Sequence, residues 1–281
     1  MLQPGYPLPS PSVGPSLGAA LGLRHARPLD AAKKRVRLFV DMNGAQEWRA
    51  AVAQPMPAWT RDAPTKKPAS RAYYKLLELL KVHPLRGVAR SLHVCEAPGG
   101  FAQCAADVFP DLDWAVATLG RCAASLDPTR VVEADVLEED ARAELATRFA
   151  GVDLVTADGA TEMNHDRLEE EALPLLEAQT DVALRCLRPG GALVLKLFEL
   201  ADRRTVEVLA RLCAAFRCVF LVKPALSRPT NSERYVVCLG RREGAVADTV
   251  GATVGWWEAV RPVVDGMLAE QHDALRAALG A

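Results

Sequence analysis

The chain has 281 residues, half of them hydrophobic, and a formal net charge of -1. That length suits one large α/β domain with extensions or at most two small domains, no apolar run approaches the roughly 20 residues of a membrane-spanning helix, and the balanced charge lacks the basic excess that advertises nucleic-acid binding. Seven scattered cysteines without a C-x-x-C pair read as reduced thiols of a soluble, intracellular protein, and no clustered Cys/His set suggests zinc or any other metal.

Residues 1–30 are rich in Pro, Gly, Ser and Ala with no acid before Asp30, a composition that predicts a flexible tail. Arg24, His25 and Arg27 leave a weak organelle-transit reading beside the favoured nucleus or cytoplasm. The run Lys33-Lys34-Arg35-Val36-Arg37 is read as the solvated flank of a strand Val36–Val40, ahead of an RNA contact or a nuclear import signal. It belongs to an N-terminal extension, 31–68, whose Pro55, Pro57, Pro64 and Pro68 mark irregular chain.

A regular pattern begins at Ser70, a plausible cap. Tyr73, Leu76, Leu77 and Leu80 fall at helical spacing over Arg71–Val82. Strand-like runs then alternate with helical ones. Strands are predicted at Val88–Cys95, Trp114–Thr118, Val131–Ala134, Val152–Ala157, Ala192–Phe198, Val219–Val222 and Tyr235–Leu239. Helices are predicted at Phe101–Val108, Leu137–Phe149, Leu168–Leu187 (broken or kinked at Pro174) and Arg204–Phe216. Such alternation argues for a seven-stranded, mostly parallel sheet with helices on both faces. Residues 243–281 form a C-terminal extension, helical from Trp256.

Five features are candidates for chemistry. Glu96-Ala97-Pro98-Gly99-Gly100-Phe101 follows the first strand of the sheet and opens a helix, where glycines serve either a tight turn or a close ligand approach. Its spacing fits neither G-x-G-x-x-G nor a phosphate loop. Lys196 lies inside an apolar strand, and a lysine there must be paired or must reach water. Asp158 ends the neighbouring strand Val152–Ala157. Glu233 opens the last strand, and Lys75 lies off the leucine face of its helix; alone, each reads as an exposed charge. His93 and His165 lack partners at a recognisable spacing and are read as structural.

In this order, the segments Ser70–Leu76, Glu96–Phe101, Ala157-Asp158-Gly159, Leu195-Lys196-Leu197-Phe198 and Lys223–Cys238 resemble the FtsJ-type RNA ribose 2′-O-methyltransferase family, nearest its mRNA-cap branch. The resemblance covers about residues 68–242. It implies a Rossmann-like class I methyltransferase domain over 69–242, S-adenosyl-L-methionine as cofactor, and RNA, capped mRNA first, as partner, without membrane or metal. It implies the tetrad Lys75, Asp158, Lys196 and Glu233 as catalytic residues. Glu96, Ala97, Pro98, Gly99, Gly100, Phe101, Asp135 and Asp158 would line the cofactor, and Arg71, Tyr74, Ser227, Arg228, Asn231 and Ser232 the substrate. One departure is His93, at a position where the family often has an acid; Glu96 is the substitute. No acid follows the second strand of the sheet, Trp114–Thr118, to hold the cofactor ribose. Ribosomal or transfer RNA is the alternative substrate, and a non-catalytic subunit of a capping complex the alternative role.

Overall fold

The computed structural model describes residues 5–11, 17, 21–65, 67–160, 168–244 and 252–280; His165 lies outside them. The elements, in chain order, are β1 (Tyr6–Leu8), α1 (Ala26–Asn43), α2 (Ala45–Ala51), α3 (Ala72–Val82), β2 (Arg90–Val94), α4 (Gly100–Val108), β3 (Asp113–Thr118), β4 (Val131–Glu133), α5 (Glu139–Arg148), β5 (Val152–Ala157), α6 (Leu168–Cys186), β6 (Leu187–Leu197), α7 (Arg203–Ala215), β7 (Phe216–Val222), β8 (Arg234–Arg241) and α8 (Val254–Ala278). The strands form one sheet in the order β1-β7-β8-β6-β5-β2-β3-β4. β2 pairs in parallel with β3 and β5, as do β3 with β4 and β5 with β6, while β8 runs antiparallel to β6 and β7. The chain order reverses between β2 and β5, which makes their carboxyl ends the place for a ligand crevice.

Period-two alternation decides what lies above and below the sheet. Leu193 and Leu195 join Leu173, Val182, Leu209 and Val260 in the larger core, beneath α6, α7 and α8. Val194 faces the other way, with Tyr235 and Val237 against Tyr73, Leu76 and Leu80 of α3 and Phe101 of α4. Lys196, two residues beyond Val194, therefore falls on the face that α3 covers. It is 8% exposed.

Two expectations from the sequence are corrected. The predicted strand Val36–Val40 lies inside α1. Its alternation competes with a helical stripe through Leu29, Ala32 and Val36, which pack into the larger core with α8, and tertiary burial decides such short segments. Lys33 of the basic run pairs with the buried Glu199. The second correction concerns the described residues of the flexible tail predicted over 1–30, namely 5–11, 17 and 21–30. Tyr6–Leu8 adds an eighth strand, antiparallel to the edge strand β7. Leu17, Leu21 and Leu29 are buried, and the indole N–H groups of Trp256 and Trp257 donate to the Pro9 and Leu21 carbonyls at 2.8 Å each. The scattered leucines of this Pro-rich segment, Leu8, Leu17, Leu21 and Leu29, join the larger core. All seven cysteines are free thiols. No helix among the described residues is long and apolar enough to cross a membrane.

Candidate active site

The turn after β2 sits at the sequence reversal. Glu96 is buried, and its carboxylate accepts the backbone N–H groups of Phe101 at 2.6 Å and Ala102 at 3.1 Å. It thus caps the first turn of α4, whose amides have no partner within the helix. Burial outweighs these two bonds and raises its pKa to about 8. Both oxygens face the helix, so the substitute acid is bound to its own turn. Gly99 adopts φ +104°, and a Cβ there would meet Leu126; a Cβ on Gly100 would meet Ser70 Oγ and, at 2.9 Å, the Tyr73 nitrogen. Protein packing alone accounts for both glycines. Ala97 is exposed, Pro98 is half-buried, and Phe101 is buried with its ring 5.9 Å from that of Tyr235. His93 is wholly buried, hydrogen-bonded to Thr156 Oγ1 at 2.7 Å and Ser91 Oγ at 2.9 Å, and burial lowers its pKa to about 3. It is a core histidine.

The remaining site groups gather at the same edge. Asp158 follows β5, and Lys196 nears the end of β6 beside it. The Lys196 ammonium donates to the Asp158 carbonyl at 2.6 Å and lies 3.3 Å from Asp158 Oδ1. Because β8 runs antiparallel, its first residues lie at this edge too, with Tyr235 opposite Lys196. Tyr235 Oη donates to Asp158 Oδ1 at 2.7 Å. Glu233, one residue before β8, receives Lys75 Nζ at 2.7 and 2.8 Å on its two oxygens and Ser227 Oγ at 2.5 Å. Burial pushes the Glu233 carboxyl up, but Lys75, Lys196 and these hydrogen bonds more than offset it, and the pKa stays below its usual value. Two pairs result, Lys196 with Asp158 and Lys75 with Glu233. Tyr235 bridges them, its ring centroid 6.0 Å from Lys75 Nζ.

The other predicted residues are more dispersed. Asp135 is half-buried just past β4, with Oδ1 accepting the Leu137 N–H at 3.0 Å. Arg71 is exposed at the start of α3, and Tyr74 is half-buried against the Tyr73 ring. Ser227 and Ser232 are buried, while Arg228 and Asn231 are half-buried in the loop between β7 and β8. Ser227, read as a substrate contact, has its hydroxyl engaged on Glu233. Sequence reasoning missed Tyr235, which resembled one more apolar strand residue, and Lys223, whose only signal was its place before the loop. Burial, aided by Arg234 and Lys75, lowers the Lys223 pKa to about 7.

A family model described as FtsJ-like methyltransferase matches residues 68–241. The chain belongs to the FtsJ-like methyltransferase family. Among curated relatives of this FtsJ-like methyltransferase, a cap-specific mRNA (nucleoside-2′-O-)-methyltransferase of Autographa californica nuclear polyhedrosis virus is 32% identical over 195 residues, covering 63% of this chain and 74% of the viral one. A ribosomal RNA large subunit methyltransferase E of Rhizorhabdus wittichii is 34% identical over 200 residues, with 68% and 85% covered. Among solved structures, a putative ribosomal RNA methyltransferase of Plasmodium falciparum matches with a TM-score of 0.51 at 19% identity, over 62% of this chain and 98% of that one. That likeness shows the fold alone.

Proposed function

We propose that this methyltransferase transfers the methyl group of S-adenosylmethionine to a ribose 2′-hydroxyl of RNA, the cap-proximal nucleotide of mRNA being the favoured acceptor. The observation that carries the reading is the meeting of two amine–carboxylate pairs, drawn from α3, β5, β6 and β8, beside the turn after β2. Asp135 and Asp158 flank that turn with carboxylate oxygens, acceptors that suit a ligand carrying an amine at each end, as this cofactor does. When bound, it supplies a methyl group already activated on a sulfonium, so the protein is left with positioning and one proton. Lys75 and Glu233 orient the ribose; the Glu233 carboxylate accepts from a hydroxyl and the Lys75 ammonium donates to one. Lys196, held by Asp158, receives or steers the proton leaving the ribose oxygen.

Lys196→Ala and Lys196→Arg, assayed for turnover and for S-adenosylmethionine binding together, test this assignment. Arginine keeps the charge but does not deprotonate. Binding retained with turnover lost is expected for both variants, and near-normal turnover in either would end the proposal. The viral relative and the Ser227–Tyr235 segment support the cap, whereas the Rhizorhabdus relative favours ribosomal RNA. Methyl transfer to capped and uncapped transcripts of one sequence separates these, with the capped transcript expected to be preferred.

A further inference from the structure

The loop from Lys223 to Glu233 joins β7 to β8, and its course is fixed by side chains. Glu78 of α3 accepts the Ala225 N–H at 2.8 Å, and Gln54 Nε2 donates to the Ala225 carbonyl at 2.6 Å. At the far end, one ammonium does the holding. Lys223 Nζ donates to the Asn231 carbonyl at 2.7 Å, Asn231 Oδ1 at 2.9 Å and the Glu233 carbonyl at 3.0 Å. Below a pH of about 7, where Lys223 is an ammonium, three protons meet three acceptors. Glu233 is thereby gripped twice, at its main chain by Lys223 and at its carboxylate by Lys75 and Ser227.

We propose that Lys223 is a positioning residue that fixes the Glu233 backbone, and through it the carboxylate that faces the ribose; this rests on the function assigned to Glu233 above. An apolar side chain would fill the same half-buried space without the desolvation that an ammonium suffers. It would leave the Glu233 carbonyl free to shift. The charged groups around Lys223 are Arg234 and Glu233 at β8, Lys75 from α3 and Glu270 from α8. Two cations are set against two anions, so no net attraction explains a lysine here, whereas the three acceptors do. Misplacement of a reacting or orienting group by about 1 Å costs on the order of 100-fold in rate, so a loosened Glu233 lowers turnover without lowering affinity in proportion.

The experiment is a double-mutant cycle on the full chain with Lys223→Met, Glu233→Gln and the double variant, measuring kcat, KM for RNA and cofactor affinity. Expected are a fall in kcat of at least about tenfold for Lys223→Met, KM and cofactor affinity within about twofold, and no further loss when it is added to Glu233→Gln. A kcat within about twofold of wild type overturns the proposal, as does a loss that multiplies undiminished in the Glu233→Gln background. If Glu233→Gln itself keeps wild-type turnover, the role given to Glu233 fails, and any fall in Lys223→Met then shows that Lys223 acts elsewhere. Should Lys223→Met fail to fold, Lys223→Gln takes its place in the cycle; it stays polar, but its amide nitrogen sits one bond short of the ammonium that reaches Asn231 and the Glu233 carbonyl, so the same results support or overturn the proposal.

Discussion

Glu96→Gln offers the sharpest physical test of the turn at the centre of the candidate site. The wild-type carboxyl is buried, and its pKa rises from 4.5 to about 8. At about 1.4 kcal/mol per pKa unit, that displacement of about 3.5 units amounts to about 5 kcal/mol. The folded protein holds this proton more tightly than the unfolded chain. The associated stability is fully present below about pH 4.5 and is lost progressively as pH rises through about 8. Glutamine removes the titration but keeps one oxygen for the Phe101 N–H, while its amide N–H₂ faces the Ala102 N–H. An unsatisfied buried donor costs about 1–3 kcal/mol at every pH. Near about pH 5 the variant is therefore expected to be the less stable protein, and near about pH 9 the more stable by about 2–4 kcal/mol. Urea unfolding of both proteins at several pH values measures the difference, in which all other titrations cancel. A difference that stays constant across that range would refute the argument, because it would mean that Glu96 ionises as readily in the fold as outside it.

Further outcomes follow from other contacts. Gly100→Ala places a methyl 2.9 Å from the Tyr73 nitrogen, and the overpacking is expected to lower stability by about 1–3 kcal/mol in chemical denaturation. Tyr235→Phe removes the 2.7 Å hydrogen bond to Asp158; with a charged acceptor worth about 1.5–3 kcal/mol, turnover is expected to fall by about tenfold or more while cofactor binding holds. Deleting residues 1–11 strips β1 from the edge of β7 and the acceptor from Trp256. A loss of about 2–3 kcal/mol is expected, seen as a Tm lower by roughly 5–10 °C, with faster aggregation through the uncovered edge.

The strands and helices between Ser70 and Leu239 were legible because short apolar runs alternate with helically spaced ones, even across Pro174 and the three-residue β4, and the order of motifs carried the family. The convergence of Lys75 on Glu233 was not legible from spacing, since 158 residues separate them and each looks like a surface charge in its own segment. Register explains the missed Tyr235. Only the antiparallel pairing of β6 with β8 puts it opposite Lys196, and nothing in a single chain states which residues of two strands will face each other. Glycines 99 and 100 were conspicuous in the sequence, yet their reason lies in Leu126, Ser70 and Tyr73, neighbours that local pattern cannot supply. Residues 6–9 and 21 were misjudged on composition, because their partners in α8 and β7 lie more than 200 residues away.

That distance has a kinetic side. Residues 6–10 dock on Cys213, the strand at 219–221 and Trp256, and Leu21 on Trp257, so more than 200 further residues must be made before these positions have anywhere to settle. On a ribosome the amino-terminal piece would wait, unattached, until β7 and α8 had emerged. Closure of β1 over the sheet margin has to follow the making of β7, and until it happens the exposed rim of β7 remains open to strands of other nascent chains.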